Sequence, residues 1–357
     1  MSSRVAPTEL LPWALSQLPP GGVDAFPALQ LVAGDASNRR YFRLELGSGR
    51  YIVAQAPSET EKNEAFLSVR NLLADIGVRV PEVFGVDLAR GYLLLEDLGD
   101  QMLLPLLNAT TADHYYGQAG AILLQLALPT DAARGLPGDL PVYDEALLRE
   151  ESGRFGTWFV EKLLGYSLNV QEQDLIEALT VKLVASALEQ PVVLVHRDFH
   201  SRNLMPQPDG QLAVIDFQDA VHGPVTYDLV SLLRDCYICW PAQRVDRWAL
   251  EHRDQLRDRG LIADVEDALF LRWFDWMGLQ RHIKVLGTFA RLYLRDGKPG
   301  YLQDLPLVIY YVRQILEKYT DDEPAFACLL YTSPSPRDAR KYLVCRLLLE
   351  KGGGGGG

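Results

Sequence analysis

Residues 192–204 read VVLVHRDFHSRNL, a short apolar run that ends abruptly in polar side chains. The run Val192–Val195 is apolar and mostly β-branched, which predicts a buried strand. Asp198 follows this strand closely, so a rigid strand end would hold its carboxylate. Asn203 comes five residues later, and its side-chain amide is expected to lie near the same carboxylate. This arrangement predicts a catalytic site at the end of the strand.

A second apolar run repeats this organisation. Leu212–Ile215 predicts another strand, and Asp216 stands at its end in the sequence IDFQDA. An Asp, an Asn and a second Asp after the next strand are the side chains that phosphoryl transfer from a nucleotide requires. Asp198 would accept the proton of an attacking hydroxyl, while Asn203 and Asp216 would offer hard oxygen ligands to Mg²⁺.

The two residues that precede Asp198 are expected to have a different role. His196 and Arg197 complete the HRD triplet, but the acid–base role is already assigned to Asp198. We therefore expect His196 and Arg197 to give structural support to the catalytic loop.

Composition and charge exclude several classes of protein. The chain has 357 residues, of which 48% are hydrophobic, and this length and composition suit about two domains with buried cores. The net charge is -12 and the pI is about 5.0, whereas nucleic-acid and anionic-membrane surfaces need basic patches. No apolar run reaches the roughly 18 residues of a membrane span, and the N-terminus has no signal-peptide core. We expect a cytoplasmic protein with no nucleic-acid, membrane or obligate protein partner.

The hydrophobic periodicity divides the chain into two lobes and a tail. Residues 1–97 predict short strands in an antiparallel arrangement and one long helix, Glu59–Ile76. Residues 98–323 are mostly helical apart from a central hairpin that carries the polar strand ends. Residues 324–357 change character, with the run SPSPRD and six terminal glycines, and predict a non-native or disordered tail. The expected fold class is α+β, with a small antiparallel-sheet lobe and a larger helical lobe.

The same periodicities place the individual elements. The strands predicted in the first lobe are Leu29–Ala33, Tyr41–Leu46, Tyr51–Gln55, Glu82–Val86 and Tyr92–Leu95. The other predicted helices are Thr8–Leu18, Thr110–Leu126, Glu145–Leu164, Gln171–Glu189, one from Tyr227, Val265–Leu294 and Pro306–Tyr319.

Two cysteines form a C-x-x-C pattern, Cys236 and Cys239, within an apolar segment. A zinc or redox site would need a second ligand pair or a thioredoxin-like context, and neither accompanies them. We predict two reduced core thiols and no metal at this position.

The HRD triplet, Asn203 and Asp216, followed by Asp228 in YDL, resemble the aminoglycoside-phosphotransferase branch of the protein-kinase-like fold. The resemblance covers about residues 25 to 320 and implies a bilobal kinase that uses ATP and Mg²⁺. It implies Asp198 as the catalytic base, Asn203 and Asp216 as metal ligands, and Asp228 as a brace for the catalytic loop. The cofactor-binding positions that it implies are Gly34, Asp35, Ala36, Ser37 and Asn38 in a phosphate loop, Arg40, and Glu96 and Leu98 at the hinge that receives adenine.

The third strand departs from this family pattern. Where a kinase reads V-A-I-K, this chain ends its strand at Gln55, so the lysine that pairs with the phosphates is absent. Arg39, Arg40 or Lys62 could supply the cation, with Glu64 as a candidate partner, and the sequence does not choose between them.

The segment after Asp216 is the second departure. Asp216 is followed by Phe-Gln rather than Phe-Gly, and only eleven residues separate it from Asp228. This span has no room for a long phosphorylatable activation segment. We therefore predict a constitutively competent small-molecule kinase.

Two further segments narrow the expected acceptor. GDASNRRYFRL at residues 34–44 and MGLQRHIKVLGTFARLYLRDGKPGYLQDLP at residues 277–306 resemble bacterial kinases that phosphorylate N-acetylmuramate and N-acetylglucosamine during cell-wall recycling. This resemblance implies transfer to the anomeric hydroxyl of an amino sugar and a sugar 1-phosphate product. The expected substrate contacts are Asp198, Arg202, Trp273, Gln280 and Arg281, and either Arg281 or Lys284 would suit an anionic lactyl group.

Two alternatives stay open on the sequence. One is a kinase for another small alcohol, such as an aminoglycoside, a choline-like or a homoserine-like acceptor, and the acidic net charge would suit a cationic acceptor. The other is a non-catalytic nucleotide-binding scaffold, which stays open because Gln55 stands where a kinase has its third-strand lysine.

Overall fold

A computed structural model of the chain describes five stretches and one further residue: 6–19, 27–32, 39–47, 49–127, 140–323 and Phe326. These residues form two compact units. The first unit holds the described residues up to 125 together with residues 202–220, and the second unit holds the others. Within the described stretches, no helix has both the length and the apolar character needed to cross a lipid bilayer.

An antiparallel sheet forms the centre of the first unit. Its strands are β1 (Leu29–Leu31), β2 (Arg40–Leu46), β3 (Gly49–Gln55), β4 (Val83–Asp87) and β5 (Tyr92–Glu96), in the order β1-β2-β3-β5-β4. Alternate residues of β2, Phe42 and Leu44, are buried on one face, as a half-buried strand requires. Leu10 and Trp13 of helix α1 (Leu10–Ser16) pack in the same apolar cluster as these two residues. The predicted small antiparallel sheet is confirmed.

Two local features shape the edge of this sheet and its helix. Gly91 precedes β5 with a φ of +67°, and a Cβ there would lie 2.0 Å from the carbonyl oxygen of Ala56, so this close approach requires glycine. Helix α2 spans Asn63–Asp75, and it begins later than the predicted Glu59 because Glu61 donates its N–H to the carbonyl of Pro57 in a turn.

The predicted central hairpin is wrong in its pairing. Strand β6 (Val192–Val195) pairs with β9 (Val221–Pro224) in the second unit. Strand β8 (Leu212–Val214) pairs instead with β7 (Leu204–Pro206) in the first unit, through a turn in which Gly210 has a φ of +83°. β7 has only three residues, too few to show an alternating pattern, and this partner strand is therefore not predictable from periodicity.

Helices account for most of the remaining structure. Helix α8 (Asp267–Leu294), the longest helix in the described residues, is buried on most sides, as expected for an apolar helix at the centre of a helical domain. The other helices are α3 (Ala112–Leu126), α4 (Glu145–Arg154), α5 (Val170–Leu188), α6 (Tyr227–Leu233), α7 (Ala242–Asp258) and α9 (Leu305–Lys318), and 3-10 turns lie at Leu104–Leu106 and Pro299–Gln303.

The predicted single helix Glu145–Leu164 is interrupted in the structure. After α4 ends at Arg154, residues Phe155–Leu163 form a π-helix. The backbone of α8 lies close to this junction, since a Cβ on Gly287 would lie only 2.4 Å from the carbonyl carbon of Arg154. A glycine in α8 therefore permits the backbone contact at this junction.

The two thiols of the C-x-x-C pattern lie in different environments. Cys236 is a buried free thiol, whereas Cys239 is exposed, so the prediction that both are core thiols is wrong for Cys239. Helix α6 ends at Leu233, and the spacing after it is therefore not helical.

One residue beyond the predicted end of the fold lies in the core of the second unit. Phe326 is completely buried, and its ring centroid lies 5.1 Å from that of Trp276 and 6.3 Å from that of Tyr319. The sequence predicts that the fold ends at about Glu323, so Phe326 gives this prediction a direct test.

We expect Phe326→Ala to lower the free energy of unfolding by about 3–5 kcal/mol, because it leaves a cavity among buried aromatic rings. Urea denaturation followed by circular dichroism measures this change. Phe84→Ala is the control, since Phe84 is 41% exposed, and it should cost much less. Equal stability of Phe326→Ala and the unchanged protein would instead support an end of the fold at Glu323.

Candidate active site

A buried carboxylate holds the start of the predicted catalytic loop, residues 196–203. His196 and Arg197, directly after β6, donate their backbone N–H groups to the two oxygens of Asp228 at 2.6 and 3.0 Å. Arg197 has a φ of +74°, a left-handed conformation that is unusual for a residue other than glycine. The strand end and Asp228 together therefore set the direction in which the chain continues into Asp198.

Asp228 occupies an unfavourable position for an acid. It is almost completely buried, and burial raises its pKa to about 7, although the N–H groups of His196 and Arg197 act in the opposite direction. Because the folded pKa is above the ordinary value, the contribution of Asp228 to stability falls as the pH rises from about 4 to about 7. Asp228 is therefore unfavourable for stability at neutral pH, yet it accepts the backbone N–H groups at the start of the catalytic loop.

A second buried carboxylate holds the end of the same loop. Ser201 donates its backbone N–H to Asp235 at 3.0 Å, and its hydroxyl donates to the same oxygen. Asp235 is fully buried and was not predicted from the sequence. It lies 34 residues from its partner, so no local motif indicates the contact.

The charges around Asp198 favour its ionised form. Partial burial alone would raise the pKa of its carboxyl, but four nearby basic groups outweigh this effect and hold the pKa below its ordinary value. Asp198 is therefore a carboxylate at neutral pH and can accept a proton. The four basic groups are Lys284, His200, Arg281 and Arg197, in decreasing order of effect.

The first unit contains a half-open cavity of about 330 Å³. Asn203 and Asp216 both line it, and the amide nitrogen of Asn203 lies 3.4 Å from a carboxylate oxygen of Asp216. Asp216 has a φ of +64°, and Gln218 donates to its other oxygen at 2.8 Å. The structure thus brings the two predicted metal ligands together at one wall of the cavity. Its apolar lining includes Val32, Ile52, Leu95, Met102, Met205 and Ile215.

The predicted hinge also lines this cavity, and an arginine on β2 holds it. Arg43 donates to both oxygens of Asp97 at 2.7 and 3.0 Å and to both oxygens of Asp100 at 2.9 Å. Asp97 in turn accepts the N–H of Gly99 at 2.9 Å. Arg43, which the sequence did not single out, therefore fixes the turn between Glu96 and Asp100. Its only sequence signal is its place in the segment GDASNRRYFRL.

The other hinge residues are placed by similar contacts. Glu96 accepts from Arg79 at 2.8 Å and from the backbone N–H of Glu82 at 3.1 Å. Leu98 lines the cavity together with Glu96. The predicted phosphate loop, Gly34–Asn38, lies outside the described residues.

The candidate replacements for the missing lysine lie in different surroundings. Arg40 is directly opposite Gln55 on the neighbouring strand, and its guanidinium donates to the Gln55 amide oxygen. Arg39 is buried, with its guanidinium 5.0 Å from the centre of the Phe66 ring. Lys62 is exposed and lies 2.9 Å from Asp219. Arg40 is thus the candidate that contacts the position of the missing lysine.

The predicted sugar contacts are mostly buried in the second unit. Trp273 donates its indole N–H to Glu189 at 2.7 Å, and Gln280 is fully buried. Arg281 is buried and donates to the Cys236 thiol at 3.5 Å. Their role in sugar recognition stays a prediction. Arg202, in contrast, is exposed and lines the cavity of the first unit.

Comparison with known proteins assigns this chain to a family. Residues 28–264 match the family described as the phosphotransferase enzyme family. The chain belongs to this family. A phosphotransferase of this kind transfers a phosphoryl group from a nucleoside triphosphate, which suits the cavity beside Asn203 and Asp216.

Curated phosphotransferases from two bacteria are similar over most of their length. A Pseudomonas putida protein is 41% identical over 290 residues, covering 81% of this chain and 84% of the relative, and is named N-acetylmuramate/N-acetylglucosamine kinase. A Pseudomonas aeruginosa protein of the same name is 42% identical over 291 residues, covering 80% of this chain and 83% of the relative. The predicted family is therefore confirmed.

A solved phosphotransferase structure has the same fold. An ADP-bound aminoglycoside phosphotransferase superposes with a TM-score of 0.56 at 14% sequence identity, covering 86% of this chain and 98% of the other. At this identity the similarity concerns the fold alone. It confirms the predicted protein-kinase-like α+β fold of this phosphotransferase.

We expect Arg43→Lys to weaken the binding of a non-hydrolysable ATP analogue about tenfold, because an ammonium group cannot hold both carboxylates of the hinge. Isothermal titration calorimetry measures this affinity. Arg90→Lys is the matched control, since Arg90 pairs with Asp87 on an exposed turn of the same unit, and it should leave the affinity unchanged. An Arg43→Lys variant that binds the analogue normally would show that the hinge does not depend on this clamp.

Proposed function

We propose that this phosphotransferase is an ATP- and Mg²⁺-dependent cytoplasmic kinase that phosphorylates the anomeric hydroxyl of N-acetylmuramate or N-acetylglucosamine. The observation that carries the proposal is the identity of 41% and 42% to kinases of this name over about four fifths of the chain. The ionised Asp198, on a loop held by Asp228 and Asp235, supports the same chemistry.

In the proposed reaction, Asp198 acts as the base. As the C1 hydroxyl oxygen of the sugar forms a bond to the γ-phosphorus of ATP, its proton passes to the Asp198 carboxylate. The bond between the γ-phosphorus and the oxygen that bridges to the β-phosphorus breaks, and the electron pair leaves with ADP. The products are a sugar 1-phosphate and ADP, and Asp198 then returns its proton to solvent.

The donor set at Asp216 fits a magnesium ion. Asn203 and Asp216 offer amide and carboxylate oxygens, and Mg²⁺ prefers one or two such ligands together with phosphate oxygens and water. Among the described residues, no three His, Cys, Asp or Glu side chains lie close enough to form a metal site alone. When bound, the ion would neutralise negative charge on the phosphates.

The nucleotide would be bound mainly by the first part of the chain. In this proposal residues 1–97 form the nucleotide-binding lobe, with Gly34–Asn38 around the phosphates and the hinge at Glu96 receiving adenine. Arg40 replaces the missing lysine, a role supported by its contact with Gln55. Residues 98–323 form the lobe that carries the catalytic base and binds the acceptor.

The two cations expected to favour a lactyl group have other partners. Arg281 donates to the Cys236 thiol, and Lys284 contacts Glu151 and Tyr227 at 2.9 Å each. A sugar carboxylate would have to compete with these partners. We therefore propose that the lactyl group adds little affinity through them, which agrees with use of both the acidic and the neutral sugar.

ADP release should follow addition of N-acetylmuramate or N-acetylglucosamine and should fall by about 10²–10⁴-fold in Asp198→Asn, because the variant lacks the proton acceptor. A coupled ADP assay with an acceptor panel measures this, and phosphorus NMR locates the new phosphate at C1. The panel includes an aminoglycoside, choline and homoserine. Turnover with one of these alone would replace the sugar assignment, and ATP binding without any turnover would favour a non-catalytic scaffold.

We expect Asp216→Asn to raise the Mg²⁺ concentration needed for half-maximal turnover at least tenfold, because an amide is a weaker metal ligand than a carboxylate. Turnover is measured as a function of Mg²⁺ at saturating ATP. Asp219→Asn is the matched control, since Asp219 lies in the same segment and pairs with Lys62 at 2.9 Å. A normal Mg²⁺ response in Asp216→Asn would remove Asp216 from the proposed metal site.

A further inference from the structure

Glu151 on α4 is the acid at the centre of a buried cluster in the second unit. It is completely buried, and one carboxylate oxygen contacts both the Arg197 guanidinium and the Lys284 ammonium, the latter at 2.9 Å. Its other oxygen accepts from the Tyr143 hydroxyl. Lys284 also donates to the Tyr227 hydroxyl at 2.9 Å. We call these five residues the Glu151 cluster.

The Glu151 cluster joins parts of the chain that are distant in sequence. Glu151 lies on α4, Arg197 on the catalytic loop and Lys284 on α8. The Tyr143 and Tyr227 rings meet edge to face at 5.1 Å. The contact of Glu151 with Arg197 therefore connects the catalytic loop to α4, and the contact of the same oxygen with Lys284 connects it to α8.

One acid faces two cations in the cluster. Glu151 contacts both Arg197 and Lys284, and a buried charge without a partner is strongly destabilising. Both cations also favour the ionised form of Asp198, as Arg281 and His200 do. Loss of the Glu151 charge would therefore leave two cations beside the proposed catalytic base without the buried acid that they share.

The position of Arg197 in the chain gives the contact a functional consequence. Its backbone φ of +74° is strained, and such a conformation persists only where surrounding contacts enforce it. Asp228 holds its N–H at 3.0 Å and Glu151 holds its guanidinium. Asp198 is the next residue, so the conformation of Arg197 sets the position of the Asp198 backbone.

We propose that Glu151 is a positioning residue for phosphoryl transfer: by binding Arg197 and Lys284 together, it fixes the loop that carries Asp198 and balances the charge around it. The inference rests on the proposed function, in which Asp198 accepts the acceptor proton. Glu151 acts through Arg197 and Lys284 and has no direct part in the chemistry.

A residue with only a structural role would lower stability without a specific effect on turnover. The chain offers a close match for that role at Asp275 on α8. Asp275 is completely buried in the same unit and accepts from an arginine, a lysine and a tyrosine: Arg234, Lys318 at 2.6 Å and Tyr319 at 2.7 Å. Asp275→Asn therefore removes an equivalent buried charge without touching Arg197.

The test compares Glu151→Gln, Lys284→Met, the double variant and Asp275→Asn in the full chain. We expect Glu151→Gln to lower kcat on the order of 10²-fold, since a small displacement of a catalytic group has such an effect. KM for ATP should stay within about twofold.

Asp275→Asn is the control for a loss of buried charge. It should lower the melting temperature about as much as Glu151→Gln does but keep kcat within about twofold. The double variant restores the charge balance, so its loss of kcat should be smaller than the product of the two single losses.

The outcomes separate this inference from the proposed function. If the unchanged protein transfers phosphate but Glu151→Gln keeps its kcat, or if Asp275→Asn loses kcat equally, the positioning role is wrong. If the unchanged protein transfers phosphate to no acceptor, the proposed function itself fails. Should Glu151→Gln not fold, Lys284→Met carries the test alone, and normal turnover by that variant would overturn the inference.

Discussion

The catalytic loop depends on buried carboxylates that replace the hydrogen bonds of regular secondary structure. Between β6 and β7 the backbone leaves the sheet to present Asp198, and its buried N–H groups still require acceptors. Asp228 accepts those at the start of the loop and Asp235 accepts one at its end. Burial of Asp228 is unfavourable for its charged form and raises its pKa. In return, the three carboxylate contacts satisfy backbone N–H groups that regular secondary structure does not.

The same solution recurs in the first unit, where side chains hold segments that lie outside the sheet. The hinge after β5 is fixed by the Arg43 contacts with Asp97 and Asp100 rather than by strand pairing. Asp216 follows β8 in a left-handed conformation and shares contacts with Asn203. In both units, therefore, ionic and amide side chains fix the irregular backbone that carries the site, while the sheet and helices supply the rigid base.

The sequence predicted what is encoded locally and missed what is encoded by distant pairs. The five strands and the positions of Asp198 and Asp216 follow from short apolar runs that end in polar residues. Arg43 and Asp97 are 54 residues apart, and Glu151 and Arg197 are 46 apart, so no spacing rule indicates either contact. The aromatic pattern of α8 fits a core helix and a sugar-facing helix equally well, because periodicity reports which residues share a face and not what covers that face.

The contacts of Arg197 bear on how this kinase is kept active. Within the second unit, the Arg197 guanidinium forms an ion pair with Glu151 on α4, a helix that precedes the loop in the chain. The start and end of the loop are likewise held by Asp228 and Asp235, which lie in or just after α6. Only eleven residues separate Asp216 from Asp228. Constitutive competence stays a prediction, and these contacts give it a physical reason, because the supports of the loop come from the fold itself rather than from an added phosphate.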